Sequence, residues 1–600
     1  MKWQIYCIFF VFSINIHSIV GRMLTWRKKY FPRIQQWKEN NIALLDQQQE
    51  EEQEQLEHDL FHNTTIQQNE RCTRATSSSE HLVTDDAGGL LPKLPSAHYA
   101  GHVPLYPFSM KGNPQKQRNL FYWMFSPDYS QTKSNDDGMA PLIIWLNGGP
   151  GSSSLEGLFF ENGPFRINVT EKSSKIRINP YSWHMTPAWV VYVDQPVGTG
   201  LSYVQNGTMD DLCTNDECIH SDFYEFLREL LWLHRDTMLV PIYPDNHHDS
   251  IESSGTIYRL NRELYIMGES YAGHYIPTIV DYILKQNTVL TSINTANNTN
   301  TINENEGTPP ILMPVTGMAI GNGYMDARTQ YSNSDSLYAH GFIDMSQKVS
   351  LDQREERCIK LLDEEKIEEA VDCFDYFDDI EITPDDGYFC SYDARLWLPD
   401  GQLYPLGQSE LEAYLGGGDE KTRSKLGLTD AHDRKALLRA IHATGRMQPF
   451  QIASGQISEA LCNVMPNYLI SVQREVVNIL DAGVRTLFYN GVEDLMCDHI
   501  RNELFLDQLP WDGRIKWTTS KRYVWTTDES DGTPAGFVKT HQNLSFLKII
   551  GAGHFVPMDQ PEVSLELIKA FVSGNSKMFQ GSKQHIGQKQ PEMTHCKMER

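Results

Sequence analysis

Seven short runs of apolar, β-branched and aromatic residues recur along the chain: NLFYWMF (119–125), LIIWL (142–146), AWVVYVD (188–194), LYIM (264–267), TGMAIG (316–321), RTLFYN (485–490) and SFLKII (545–550). Several show no alternation of polar and apolar positions, as expected of strands covered on both faces. Amphipathic helical segments stand between them: SDFYEFLRELLWLH before the fourth run, HYIPTIVDYILKQ after it, NYLISVQREVVNIL before the sixth and PEVSLELIKAFVSG after the seventh. The last opens on Pro561 and stops at Gly574, the usual start and stop residues of a helix. This alternation predicts an α/β protein built on a mostly parallel, doubly wound central sheet. Inserts near 235–258, 287–309 and 335–460 interrupt it, and the longest is expected to form a helical cap.

The segments outside that pattern set the expected boundaries. Residues 1–21, MKWQIYCIFFVFSINIHSIVG, hold one lysine and an apolar run from Ile5 to Phe12 that is too short to span a bilayer, and read as a signal peptide. Residues 22–90, with QQQEEEQEQLEHD and a Ser/Thr stretch, offer little to bury and read as a disordered or removable leader. The core is expected over 91–334 and 461–573, split by the cap at 335–460, with a polar tail over 574–600. No run of 18 apolar residues follows and the tail is polar, so no membrane anchor is expected. The expected location is the secretory pathway, with the protein secreted or held in a vacuolar or lysosomal lumen. Sequons at Asn63, Asn168, Asn206, Asn297 and Asn543 are expected to carry glycans.

Lys and Arg total 52 against 78 Asp and Glu, and the net charge of -26 opposes nucleic-acid binding. No Cys-x-x-Cys pair or His-Glu-x-x-His segment occurs, so neither a metal nor another cofactor is expected. Of the 10 cysteines, Cys213 and Cys218 are the easiest local pair. Removal of Cys7 with the signal leaves an odd number, so one thiol is expected to be free or to pair with another molecule.

ELYIMGESYAGHY runs from strand to helix through Gly268, Glu269, Ser270, Tyr271 and Ala272. That is the arrangement of a nucleophile elbow, with alanine in the last small position. A serine in an ordinary turn is the competing reading. Asp494 in LFYNGVEDLMCDH and His554 in LKIIGAGHFVPMDQP each follow a later strand-like run, in the order Ser, Asp, His. His554 would take the Ser270 proton and Asp494 would orient the imidazole, against the plainer readings of a turn aspartate and a surface histidine. The glycine-rich WLNGGPGSSSLEGLFFENGPF (145–165) begins where a strand ends, and Gly149 with the N–H of Tyr271 are the natural oxyanion donors. A phosphate loop does not fit, because no Gly-Lys-Ser/Thr follows.

Together WLNGGPGSSS, ENGPF, VDQPVGTGLSY, GESYAGHYIP, IGNGYMD, NGVEDLMC and GAGHFVPMDQP closely resemble the serine carboxypeptidase family, from about residue 98 to 573. The resemblance implies an α/β-hydrolase fold, a Ser270–Asp494–His554 triad, oxyanion donors at Gly149 and Tyr271, and release of single residues from peptide C-termini. It also implies that Glu161 and Glu269, with Asn147 and Gly148, bind the substrate's terminal carboxylate. Two adjacent carboxyls cannot both ionise cheaply, so they retain a proton, and activity is expected to peak at acid pH. Cys497 matches a cysteine that family members carry as a free thiol beside the pocket. The family's usual cysteine after Gly-Gly-Pro-Gly is replaced by Ser152, so the glycine-rich loop is expected to be held by packing alone.

AGHVPL, NLFYWMF and NGGPGSSSLEG resemble the pheromone-processing type more closely, which implies trimming of Lys and Arg. The expected partners are peptide or protein C-termini, with a homodimer left open. The alternatives are an acyltransferase on the same scaffold, or a protective or scaffolding binding protein.

Overall fold

The computed structural model describes residues 75, 77–105, 116–129, 140–169, 174–208, 211–242, 256–295, 308–375, 388–398, 404–428, 435–445, 448–463, 467–527 and 533–574. The signal segment, most of the leader, the polar tail, Asn63 and Asn297 lie outside these residues.

All seven apolar runs become strands of one sheet. In chain order its strands are β1 (His98–Leu105), β2 (Arg118–Phe125), β3 (Leu142–Leu146), β4 (Trp189–Val193), β5 (Leu264–Glu269), β6 (Val315–Gly321), β7 (Arg485–Gly491), β8 (Arg522–Trp525), β9 (Gly536–His541) and β10 (Leu544–Ile549). They lie in the order β1-β2-β4-β3-β5-β6-β7-β10-β9-β8, and Tyr203–Val204 adds a short partner to β2. Every pairing from β4 through β10 is parallel. The strands at the two edges pair antiparallel.

Alternation along the parallel strands builds two cores. Ile144, Leu146, Ile266 and Met318 pack under the helices α1 (Asp216–Leu233), α2 (Ala272–Thr295) and α3 (Gln473–Asp481). Ile143, Trp145, Tyr265, Met267 and Leu487 face the other way, toward α4 (Pro561–Val572). Residues 142–146 and 264–269 are buried throughout, which is why their sequence lacks alternation.

The long insertion is only partly helical. Helices Met345–Asp363 and Ile367–Asp375 are joined by a Cys358–Cys373 disulfide, but a hairpin of Tyr388–Cys390 and Asp393–Leu398 follows. Its turn is stitched to the loop after β7 by Leu495 N–H donating to Ser391 O (3.0 Å) and Ala394 N–H to Glu493 O (2.8 Å). The Cys213–Cys218 disulfide forms as expected.

The packed body begins before residue 91. Ser77 and Glu80 form a capping box on the turn Ser78–His81, and Val83 and Ala87 are buried. His81 lies beneath β1 and β2, with Nδ1 2.9 Å from the Tyr122 hydroxyl, which is itself 3.1 Å from His234 Nε2 at the end of α1. This segment is held by a cap and buried polar contacts, so its sequence shows no apolar period.

Burial pushes the His81 imidazole down to about 4, whereas the unfolded side chain protonates near 6.5. Its contribution to stability is therefore complete above pH 6.5 and is lost as pH falls toward 4. At pH 5 the loss is about 2 kcal/mol. In His81→Gln the difference in unfolding free energy between pH 7 and pH 5, measured by urea titration, should narrow by about that amount; an unchanged difference would show that His81 is not a buried neutral group.

Candidate active site

β5 ends at Glu269 and α2 starts at Ala272, so Ser270 sits with Tyr271 on the two-residue turn between them. Its φ of 58° is left-handed, a costly conformation for a residue with a side chain. Three backbone hydrogen bonds hold it there: Ser270 N–H donates to Gly321 O (3.0 Å), and Ser270 O accepts from Gly273 (2.9 Å) and Tyr324 (2.9 Å). A side chain at residue 268 would collide with the Leu146 carbonyl. The small residues of the motif thus follow from packing.

His554 lies in the loop after β10, and its Nδ1 is 2.8 Å from Asp494 Oδ2. Asp494 is fully buried. Its Oδ2 also accepts from Asn322 Nδ2 (2.7 Å) and Cys497 N–H (3.2 Å), and its Oδ1 from Met496 N–H (2.8 Å). With Nδ1 committed to Asp494, Nε2 is the ring nitrogen left for proton transfer, and His554 and Ser270 line the same pocket. Asn322 escaped the sequence reading, although it directly follows β6 in IGNGYMD. Its Oδ1 accepts from Gly491 N–H (3.0 Å), so it ties the end of β7 to the Asp494 carboxylate.

The glycine-rich loop passes against the elbow so closely that a side chain at residue 148 would collide with Tyr271 N. Gly149 has a left-handed φ of 109° and lines the pocket with Tyr271. Packing is not all that holds the loop. Ser152 bridges Ala453, Ser153 N–H donates to Ile452 O (2.7 Å), and Ser454 N–H donates to Gly151 O (2.9 Å). Buried Asp194 accepts from Ser153 Oγ (2.7 Å), Ser154 N–H (2.9 Å) and Leu201 N–H (2.7 Å). Backbone pairing and this aspartate stand where the absent disulfide would.

Asn147 joins the two glutamates. Its Nδ2 donates to Glu269 Oε1 (3.0 Å) and Glu161 Oε1 (3.3 Å), while its Oδ1 is fixed by Trp145 Nε1 (2.8 Å) and Gly157 N–H (3.0 Å). Both carboxyls are 1% exposed. Burial above all pushes Glu161 up to about 7 and Glu269 well above the usual carboxylate range, and the neighbouring Glu161 charge adds to the rise of Glu269. A third carboxyl, Glu156, lines the pocket and is pushed up to about 8, again mainly by burial. It accepts from Gln408 Nε2 (3.2 Å). Tyr392, Tyr404 and Gln408 of the long insertion complete the wall. None of these four was singled out in sequence: Glu156 carries no motif of its own within the glycine-rich segment, and Tyr392, Tyr404 and Gln408 reach the serine only when the insertion folds.

The family model described as serine carboxypeptidase matches residues 89–574. The chain belongs to the serine carboxypeptidase family. A pheromone-processing carboxypeptidase of Phytophthora infestans is 32% identical over 490 residues, 81% of this chain and 70% of that protein. A serine carboxypeptidase family member of Dictyostelium discoideum is 32% identical over 488 residues, 79% of this chain and 74% of that one. The crystal structure of a prohormone-processing carboxypeptidase from Saccharomyces cerevisiae superposes with a TM-score of 0.62 at 23% identity, over 83% of this chain and 97% of that one. The fold is that of an α/β-hydrolase, and the enzyme is a serine-type carboxypeptidase, a hydrolase that releases C-terminal residues.

Among the sequons, Asn206 is exposed, and Asn168 lies in the strand Phe165–Val169. Asn543 is poorly suited to a glycan: its Nδ2 donates to Leu480 O (3.0 Å) and Val484 O (2.8 Å), which occupies both amide hydrogens. Among the described residues two thiols are free, Cys390 and Cys497, not one. Cys497 lines the pocket, and burial pushes its thiol well above the usual value. It is therefore protonated and slow toward reagents that need a thiolate. A mercurial should block peptide hydrolysis by the native enzyme, and Cys497→Ser should abolish that sensitivity while Cys390→Ser keeps it; retained activity after full mercuration of Cys497 would place its thiol outside the substrate's path.

Proposed function

We propose that this carboxypeptidase works at mildly acid pH through Ser270, His554 and Asp494, with Asn147, Gly148, Glu161 and Glu269 as the cradle for the substrate's terminal carboxylate. The observation that carries this reading is the buried glutamate pair that Asn147 bridges beside the elbow. Such a pair donates a hydrogen bond to an anion only while it keeps its proton. A chain terminus placed there brings the last peptide bond to Ser270.

Ser270 Oγ attacks that carbonyl carbon as His554 Nε2 removes its proton, and Asp494 stabilises the resulting imidazolium. The N–H groups of Gly149 and Tyr271 receive the developing oxyanion. His554 then protonates the departing amine, and the released amino acid leaves an acyl-Ser270. Water that gives its proton to His554 hydrolyses this ester and restores the serine.

The side chain of the released residue lies near the cradle, where the Glu156 and Glu161 charges interact. Glu156 stays protonated in mild acid unless a cation displaces the proton, so a C-terminal Lys or Arg both restores its charge and pairs with it. The two disulfides suit an oxidising compartment, and the location proposed is the secretory route or a lumen beyond it. A removable leader would end by about residue 76, before the capped turn Ser78–His81.

Mass spectrometry of a peptide ending in free Lys, beside its C-terminal amide, tests the reading at pH 5. Stepwise loss of single residues from the acid only, reduced by about 10⁴-fold or more in Ser270→Ala, is expected. Because Glu161 is pushed up to about 7 and Glu269 higher still, the pair takes on its first charge near pH 7 and gives up its last proton only above that, so KM for the free acid should rise from pH 7 upward; a KM that falls into the alkaline range would rule out the shared proton. Glu156→Gln should lower kcat/KM for a terminal Lys by roughly 10-fold or more relative to a terminal Leu, and an unchanged ratio would remove Glu156 from specificity.

A further inference from the structure

The hairpin of the long insertion turns directly against the two loops that carry Asp494 and His554. Its Tyr392 O accepts the His554 N–H (2.7 Å), and a side chain at residue 553 would collide with that same carbonyl. Ala394 N–H donates to Glu493 O (2.8 Å), and Glu493 N–H donates to Ala552 O (2.9 Å). The hairpin, the loop after β7 and the loop after β10 are thus joined backbone to backbone. Arg395 closes this seam with its side chain. Its guanidinium is gripped by the hairpin's own buried Asp393, Nε donating to Oδ1 (2.8 Å) and Nη2 to Oδ2 (2.6 Å). Its far side meets the histidine loop: Nη1 donates to Gly551 O (2.8 Å), and Nη2 reaches Asp559 Oδ2 (3.4 Å), which in turn accepts the Gly553 N–H (2.7 Å). Gln560 Nε2 also donates to Gly551 O (2.9 Å), but it follows His554 on the same stretch of chain, whereas Arg395 comes from the insertion. A planar guanidinium shared by two carboxylates and a carbonyl makes charge-assisted bonds in a fixed fork, and these set geometry more firmly than neutral ones.

We propose that Arg395 is a positioning residue for the catalytic histidine: held by Asp393 on the insertion, it fastens the Gly551–Gly553 backbone and so fixes where the His554 imidazole stands between Asp494 and Ser270. This rests on the triad reading above. Arg395 does not line the pocket, and no bond is made or broken through it; it acts through the three residues ahead of His554. Displacing a reacting group by about 1 Å costs on the order of 100-fold in rate, so a small shift of this loop is enough to slow proton transfer. The carboxylate cradle is built on other segments, the loop after β3 and the end of β5, so the effect falls on the chemical step and leaves substrate binding in place.

The experiment measures kcat and KM for a peptide acid together with the rate at which a small fluorophosphonate labels Ser270, a reaction that needs the His554 base but offers no carboxylate to the cradle. In Arg395→Ala kcat should fall by roughly 10-fold or more with little change in KM, and labelling should slow by a similar factor. Should Arg395→Ala fail to fold, as loss of its cooperative urea transition would reveal, Asp393→Asn serves instead: it leaves the guanidinium in place but opens its fork, and should lower kcat and labelling together in the same way. Unchanged kcat and labelling in whichever variant folds would overturn the assignment, and so would a KM that rises at constant kcat, which would put Arg395 in substrate binding. His554→Ala separates the two readings: if it stops labelling while the Arg395 and Asp393 variants label at the native rate, Arg395 alone is wrongly assigned. If His554→Ala labels as fast as the native enzyme, His554 is not the base and both fall.

Discussion

The register of four neighbouring parallel strands is the constraint on which the site depends. β5, β6, β7 and β10 are paired in that order, and the chain leaves them at or just before Ser270, Asn322, Asp494 and His554. Glu269 pairs with Gly321, so the next residues, Ser270 and Asn322, leave their strands at the same level; Asn322 N–H then donates to Tyr489 O (2.8 Å). A slip of one residue in β5 would turn Glu269 to the helix-covered face and take it away from Asn147. The left-handed Ser270 persists because the sheet holds both sides of it: Gly321 of β6 accepts its N–H, and the loop after β6 donates to its carbonyl. Strain at this one residue is small against the free energy of the buried sheet beneath it.

The same burial that makes the sheet stable makes its polar cargo depend on pH. An ionised carboxyl taken out of water costs several kcal/mol unless it is well paired, and here the hydrogen-bond partners of Glu156, Glu161 and Glu269 are the neutral Asn147 and Gln408 side chains. These three groups therefore hold protons in the fold more tightly than in the unfolded chain, so their contribution grows as pH falls from about 8 toward the ordinary carboxylate range. His81, His98, His184 and His234 act in the opposite direction, since burial keeps them neutral and holds their pKa values at about 3 to 4. Below pH 6.5 the unfolded chain takes up protons that the fold refuses. The two sets pull against one another across the range in which the cradle keeps its proton, so stability and substrate binding are governed by different residues over a common window.

How much was legible in the chain follows from the kind of interaction involved. Doubly covered strands announce themselves as apolar runs, and all seven were found. Ser270, Asp494 and His554 stand out because each follows such a run, and the fold brings Asp494 and His554 to 2.8 Å. Contacts between distant segments leave no such mark. Asn322 meets Asp494 across 172 positions and Gln408 meets Glu156 across 252, and no local period records either. Residues 77–90 were assigned to the leader because a capping box and a buried His–Tyr–His contact carry no apolar stripe. Asn543 read as a glycan acceptor from its triplet alone, whereas its amide closes the turn between β9 and β10 onto Leu480 and Val484.

Ser152 shows how the chain meets a structural need without the expected covalent link. A disulfide would act chiefly by restricting the unfolded chain and would leave the loop's native contacts to other groups. Here the strap Ile452–Ser454 pairs with Gly151, Ser152 and Ser153, and Asp194 fixes the Ser153 and Ser154 end of the same loop. Each buried hydrogen bond contributes about 1 kcal/mol, with more from those to the Asp194 carboxylate, so the set rivals one bridge. The consequence differs in kind. A covalent bond would persist through any movement of the long insertion, whereas the backbone bonds to Ile452–Ser454 exist only while that strap lies against the glycine-rich loop, and the Asp194 bonds are independent of it. Gly149, the proposed oxyanion donor, sits on that loop three residues before Ser152, and Gln408 and Tyr404 of the same insertion wall the pocket. A substitution in the strap, far from Ser270 in sequence, therefore bears on the backbone of Gly149 through Gly151, Ser152 and Ser153.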